Sequence, residues 1–288
     1  MPYPRQDRDH NPNKRPSKPQ ARPVGATFGR PPVKPQTPRE TELPADAPEN
    51  MIVGRRAIRE AIRSGRDIEK LLVARGDLST SATEIIAKAR EANVVVQEVD
   101  RARLDAVYEN HQGMLAFVSA AQYAEYEDIF ALAEARAEDP FLIILDGLTD
   151  PHNLGAIIRT AECSGAHGVV IPHRRAVGLT PAAVKAAAGA QEYVKVARVT
   201  NLTRVIEDMK KRGLWIYGLA TGGEDLFEAD LRGPLALVIG SEGEGISQLV
   251  LKHCDRQLSI PMAGQIESLN ASVSAGVALY AVYRARKG

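Results

Sequence analysis

Two stretches decide the fold: residues 235–247, LALVIGSEGEGIS, and residues 258–278, LSIPMAGQIESLNASVSAGVA. In the first, an apolar run of strand length enters a glycine-rich turn. In the second, a short strand enters a turn that opens a helix of small residues. Two strand ends that each deliver a loop make a ligand cradle at the edge of a parallel sheet. Upstream, FLIIL (141–145), GVVIP (168–172), YVKVARV (193–199) and LWIYGLA (214–220) read as further apolar strands. Helical patterns separate them: 153–165, an alanine-rich helix begun by Pro181 behind a Thr180 cap, and 202–212. This alternation predicts an α/β chain with a doubly wound parallel sheet over residues 140–288.

Residues 50–121 predict a smaller α/β domain. Ile52, Ile58 and Ile62 share helical spacing, so a helix is expected from Met51 to a stop at Gly65. Strands IEKLLVAR, VVVQEV and MLAFVSA follow, with a helix over 79–91 and a short helix capped by Asp100. Arg55, Arg56, Arg59 and Arg63 crowd the first helix with Glu60 the only acid among them, a face suited to an RNA backbone or simply to solvent. His111 sits in a turn-like setting and reads as a turn residue. Residues 122–139, acidic and alanine-rich, read as a linker helix between domains or as the first helix of the second one. Residues 1–49 hold twelve of the eighteen prolines and, through Arg39, nine Lys or Arg against two Asp. A disordered, basic tail is expected there, either an RNA-binding arm or a solubilising extension.

The net charge of +1 leaves nucleic-acid affinity to local basic clusters. Cys163 and Cys254 form no CxxC pattern, so unpaired thiols in a reducing cytoplasm are expected and a cysteine zinc site is not. No apolar run is long enough for a membrane span.

Gly240, Gly243 and Gly245 are spaced G-x-x-G-x-G, which is neither a dinucleotide fingerprint nor a P-loop. Glu242 and Glu244 would repel a pyrophosphate, so a ligand without phosphates, carrying a positive centre or sugar hydroxyls, fits better than ATP or NAD. In the second loop, Ser268 or Asn270 can cap the final helix. A third candidate is DGLTDPHNLGAIIRTAECSGAHG (146–168). Leu154, Ile157, Ile158 and Ala161 share one helical face, with Arg159 opposite. Gly155, one turn before Arg159, is read as leaving open space for a phosphate or ribose, and Asn153 stands at the strand-to-helix mouth. No nucleophile–base pair and no metal-ligand cluster is apparent.

Taken together, NLGAIIRTA, VIGSEGEGIS and IPMAGQIESLNASVSAG strongly resemble the three ordered motifs of the SpoU/TrmH family of SPOUT RNA 2′-O-methyltransferases. Residues 51 to about 120, with VGRRAIREAI and HQGMLA, look like that family's substrate-binding domain. The resemblance implies a SPOUT domain, a Rossmann-like sheet with a deep C-terminal trefoil knot, working as a homodimer. It implies S-adenosyl-L-methionine as cofactor, held by Leu219, Ala220, Gly240, Gly243, Gly245, Ile260, Met262, Leu269 and Ala275. Arg159 matches the family's catalytic arginine, and Asn153, Glu242, Ser268 and Asn270 its other polar site residues. Because a guanidinium stays protonated, the expected role of Arg159 is to hold a phosphate and stabilise a developing alkoxide rather than to act as a base. Ala271 and Ser274 depart from the commoner Val and Ala of relatives, a small change in packing. The implied reaction is methylation of a guanosine of large-subunit (23S) rRNA. The alternatives are tRNA guanosine methylation and a non-catalytic ribosome-assembly factor of the same fold.

Overall fold

The computed structural model describes residues 50–76, 79–265 and 268–288, all within the unit Ala45–Gly288. The basic, proline-rich tail expected over residues 1–49 lies outside the described residues.

The N-terminal part runs β1 (Met51–Val53), α1 (Arg55–Arg63), β2 (Ile68–Ala74), α2 (Thr80–Glu91), β3 (Val95–Val99), α3 (Arg101–Asp105) and β4 (Met114–Val118). Its four strands form a mixed sheet in the order β1-β4-β2-β3, with only β2 and β3 parallel. The expected helix from Met51 is corrected at its start. Gly54 stands at φ +86, outside the helical region, so the helix begins at Arg55 and Met51–Val53 pairs with β4 instead. Ile58 and Ala61 of α1 and Ala82, Ile85 and Ala89 of α2 pack on Leu71, Val73, Met114 and Ala116 of the sheet. Leu72 and Leu115 point the other way, onto Leu104 of α3. His111 is fully buried in the turn before β4. Its Nδ1 accepts from the Gly113 amide at 2.8 Å, leaving Nε2 to donate to Asp105 at 2.8 Å. Both nitrogens hold the turn, as expected for a turn residue.

After α4 (Tyr126–Ala135), strands and helices alternate: β5 (Phe141–Asp146), α5 (Pro151–Cys163), β6 (Gly168–Pro172), α6 (Pro181–Ala187), β7 (Lys195–Val199), α7 (Leu202–Lys211), β8 (Trp215–Asp225), β9 (Leu235–Gly240), α8 (Gln248–Leu251), β10 (Arg256–Ser259) and α9 (Ala271–Lys287). The six strands form an all-parallel sheet in the order β10-β8-β9-β5-β6-β7. The period-2 alternation of β5 sorts the two cores. Phe141, Ile143 and Leu145 face α5, α6 and α9, while Leu142 and Ile144 face α4, α7 and α8. Asp150 starts α5 by accepting from the His152 amide at 2.9 Å, with Pro151 in its first turn. The end of α9 is tied down by Arg286, which donates to the carbonyls of Asp139 (2.9 Å), Pro140 (3.2 Å) and Gly233. No helix among the described residues is long and apolar enough to cross a membrane.

A half-buried polar joint links the two sheets. Glu69 of β2 meets Arg198 of β7 at 2.5 Å and accepts from the Tyr123 hydroxyl at 2.5 Å. Tyr123 in turn accepts from the Leu179 amide at 2.8 Å, and the Arg198 guanidinium lies 4.5 Å from its ring centroid. A Cβ on Gly178 would strike the Glu69 carboxylate, so the β6–α6 loop sits directly against the smaller sheet.

His173, in that same loop, is pushed down to about 4 by burial first, then by the positive charges of Arg198 and Arg174, with Asp67 opposing. An unfolded histidine titrates near about 6.5. Between the two values the unfolded chain binds more protons than the folded one, so stability must fall as pH drops from about 6.5 toward 4. Burial lowers His167 as well, in the same direction. Urea midpoints of the wild type should therefore decline through this window, and His173→Gln should make the decline shallower. An unchanged slope in the variant would refute a buried neutral His173.

Candidate active site

The carboxyl ends of β8, β9 and β5 are neighbours, and Asp146 at the end of β5 pairs in register with Gly240 at the end of β9. The loop after β9 closes on itself: Ser241 N donates to Gly245 O at 3.1 Å and Gly245 N to Ser241 O at 3.0 Å. Gly245 takes φ +67, and a Cβ on Gly240 would land on the backbone of Gly245 and Ile246. Two of the three glycines are thus required by the loop's own closure. Asp146 holds the loop's exit, accepting from Ser247 N at 2.8 Å.

The three motifs meet at one carboxylate oxygen. Glu242 Oε1 accepts from Asn153 Nδ2 at 2.6 Å and from Asn270 Nδ2 at 2.5 Å, and Asn270 Nδ2 also lies 3.2 Å from Asn153 Oδ1. Asn270 Oδ1 is engaged elsewhere, capping α9 by accepting from Ser272 N at 3.0 Å and Val273 N at 3.3 Å. That cap turns the Asn270 amide NH2 toward the carboxylate and leaves one orientation for the whole cluster. Of the two cap candidates, Asn270 takes the position and Ser268 lies two residues ahead of it, on the cavity wall.

A cavity of about 490 Å³ opens beside this cluster. Leu219 and Ala220 line it from β8, Gly240, Gly243 and Gly245 from the β9 loop, and Ile260, Met262 and Leu269 from the segment before α9. Ala275 is the exception. It is fully buried in the core, and its helix meets the cavity through Ala271 and Ser274 instead. The helical step carries Ala275 past the wall and onto the sheet. Among the described residues the only charged ones on the lining are Glu242 and Glu244; no Lys, Arg or His of theirs lines the space.

On the far side of residues 241–245 lies a second cavity of about 620 Å³, walled by Asp146, Thr149, Asp150, Pro172, Arg174, Arg175 and Ser247. Arg174, Arg175 and Asp146 were not singled out from the sequence. The signal was present in HRR directly after the GVVIP strand, at the sheet edge where ligands collect.

Arg159 is exposed on α5 and lines neither cavity; among the described residues it has no hydrogen bond or ion pair. The open space expected at Gly155 is not there. A Cβ on Gly155 would lie 2.5 Å from Ala186 Cβ and 2.8 Å from Ala187 N and would overlap the Ala183 carbonyl. Gly155 is the contact point of α5 with α6, on the buried side of the helix. The arginines of α1 also divide. Arg55 donates to Ser79 Oγ (2.7 Å) and Gln112 O (3.1 Å), and Arg59 to Ser81 Oγ (3.2 Å) with Glu84 at 3.4 Å. One helical turn apart, these two serve internal packing, while Arg56 and Arg63 are exposed and, among the described residues, Arg63 has only the solvated Glu60 at 3.8 Å.

Gly155→Ala tests the helix contact. Better helix propensity would add about 1 kcal/mol, whereas forcing a methyl into a packed contact costs about 1–3 kcal/mol. The expected net result in urea unfolding is destabilisation by up to about 2 kcal/mol; a more stable variant would mean that α6 backs away freely.

Comparison with known proteins agrees with this geometry. The SpoU rRNA Methylase family model matches residues 140–280, and the model for RNA 2′-O ribose methyltransferase substrate binding matches residues 51–124. The chain is 49% identical over 237 residues to the putative TrmH family tRNA/rRNA methyltransferase YacO of Bacillus subtilis, covering 82% of this chain and 95% of that protein. It is 44% identical over 270 residues to an uncharacterized tRNA/rRNA methyltransferase of Synechocystis, covering 92% of this chain and 68% of that protein. The crystal structure of the SpoU methyltransferase AviRb from Streptomyces viridochromogenes, in complex with AdoMet, is 27% identical and superimposes with a TM-score of 0.52 over 81% of this chain and 89% of that one. With both family models matched in order and a relative covered nearly end to end, this chain belongs to the SpoU/TrmH family of RNA methyltransferases.

Proposed function

We propose that this chain transfers a methyl group from S-adenosylmethionine to a ribose 2′-hydroxyl of RNA, with a guanosine of large-subunit rRNA as its target. The observation that carries the reading is the 490 Å³ cavity whose only charges, among the described residues, are the carboxylates Glu242 and Glu244, bordered by the Asn153–Glu242–Asn270 cluster. That lining suits a cationic ligand without phosphates, and its volume lies within the roughly 300–1,000 Å³ of ligand pockets. Apolar Leu219, Ile260, Met262 and Leu269 offer faces for a base, and the open backbone around Gly243 allows close approach. AviRb, solved with AdoMet, supports the same assignment.

When bound, S-adenosylmethionine supplies a methyl carbon on a sulfonium, transferred in line as the O–C bond forms and the S–C bond breaks. The residues of this chain do the positioning. Asn153 and Asn270 both donate to Glu242 Oε1, which leaves Oε2 to accept from the incoming 2′-hydroxyl and orient its lone pair. Arg159 holds the phosphate beside the target ribose and stabilises the alkoxide as the hydroxyl proton passes to Glu242 Oε2. Because Arg159 stands outside both cavities of its own chain, it acts in the site of a second copy. The dimer face runs along α5 and α9, which pack side by side, and α9 exposes Val273, Tyr280 and Tyr283 there. Arg56 and Arg63, outward on α1, and the basic residues of 1–49 add phosphate contacts. The segment that carries β10 back alongside β8 and on into α9 is the part read as the trefoil knot.

Mapping 2′-O-methyl sites in total RNA from cells with and without the gene tests the substrate. Loss of one large-subunit rRNA site is expected. Loss of a tRNA site would replace the target, and no lost site together with no calorimetric binding of S-adenosylmethionine would leave only the assembly-factor reading. Arg159→Ala and Glu242→Gln should each lower kcat by at least about 100-fold, the scale of one transition-state contact. Mixed after unfolding and refolding, the two variants should recover about a quarter of wild-type activity, since half the dimers would hold one intact site of two. Absence of recovery would count against a site shared between copies.

A further inference from the structure

The second cavity has charges that the proposed methyl transfer does not yet use. Three of its four described carboxylates are engaged inside the protein: Asp146 with Ser247 N at 2.8 Å, Asp150 with His152 N at 2.9 Å, and Glu242 with Asn153 and Asn270; Glu244 is not. Nor are its two guanidiniums. Arg174 and Arg175 are exposed, and among the described residues neither makes a hydrogen bond or ion pair. Two unpartnered arginines side by side in a concave wall, against a single unengaged acid, form an anion site.

The loop that carries them is held in place. Arg175 takes φ +59, a left-handed conformation that an arginine seldom adopts without a reason in its surroundings. The flanking backbone is pinned by His173 N to Val199 O (2.9 Å) and Val177 N to Leu148 O (2.8 Å). Further on, Gly178 rests against Glu69, and Leu179 N donates to Tyr123 at 2.8 Å. The smaller sheet thus braces the loop that presents both arginines. Residues 241–245 form the partition between this cavity and the methyl-donor cavity, and Glu242 lines both.

We propose that Arg174 and Arg175 bind RNA backbone phosphates next along the strand from the one held by Arg159, so that the strand lies in the second cavity with its 2′-hydroxyl presented at Glu242. This rests on the methyl-transfer reading above and gives it a substrate path. Glu242 and Glu244 line both cavities, so the two arginines, present on one side only, set which face of the loop the strand takes. Both arginines act as positioning residues rather than in the chemistry.

The test uses the full chain and an unmodified large-subunit rRNA transcript, with affinity measured across a salt series alongside steady-state methyl transfer. Replacing both by alanine should raise KM for RNA about tenfold while leaving kcat within about twofold, and should reduce the slope of log affinity against log salt by about 0.7 for each phosphate that is no longer neutralised. The double lysine variant should regain most of that slope, since charge is what counterion release reads. Arg175→Gly, which relieves the left-handed strain and therefore should not unfold the loop, is expected to lose about half of the effect. An alanine pair with wild-type KM and slope overturns the proposal, as does a lysine pair that behaves like alanine. If the wild-type chain methylates nothing, the methyl-transfer reading fails, yet the salt slopes still report on the two arginines, so the two failures are distinguishable.

Discussion

The site depends on one shared acceptor. Glu242 Oε1 receives two amide hydrogens, from Asn153 and Asn270, whose positions in the chain are 89 and 28 residues away from it. Short bonds to a charged acceptor are among the stronger polar interactions in a protein, and each partner here is tied to a different structural element. Asn153 belongs to the first turn of α5, Glu242 to the β9 loop and Asn270 to the cap of α9. If the carboxylate is removed, the α9 cap keeps its own bonds to Ser272 and Val273, but the three elements no longer share a reference point.

Close backbone approach makes that convergence possible. α5 can lie against α6 because Gly155 has no side chain, and the β9 loop can fold back on Gly240 for the same reason. The second of these contacts holds the partition between the two cavities. Asp146, at the end of the central strand, then fixes the far end of the partition through Ser247. The sheet supplies the frame: β5, β9 and β8 are parallel neighbours, so their carboxyl ends open on one edge and every loop that matters leaves from it.

The smaller sheet contributes through the joint at Glu69. Arg198 and Tyr123 are held there with side chains mostly removed from water, where an ion pair needs full hydrogen bonding to be tolerated. Glu69 serves both, leaving the buried Arg198 Nε without a partner among the described residues, and its contact with Gly178 extends the joint into the β6–α6 loop. The sheet in the part matched by the RNA 2′-O ribose methyltransferase substrate-binding model is in this way registered against the loop that borders the second cavity.

Much of this was legible in the residues. Strand–helix alternation announced the parallel sheet, because β5, β6 and β9 are buried on both faces and read as continuous apolar runs. The glycine pattern with Glu242 and Glu244 excluded a phosphate-binding loop, and three ordered motifs pointed to the family. What periodicity reports, however, is which face of an element is buried, never what it is buried against. Only the folded chain decided that Gly155 meets α6 rather than open space, that Arg55 and Arg59 turn inward to α2, and that Ala275 belongs to the core. A positive φ at Gly54 made a strand of Met51–Val53 where helical spacing pointed to a helix. The meeting of Asn153, Glu242 and Asn270, and the cavity bordered by Arg174 and Arg175, arise from contacts between residues remote in the chain, and local sequence holds no record of which remote segment will arrive.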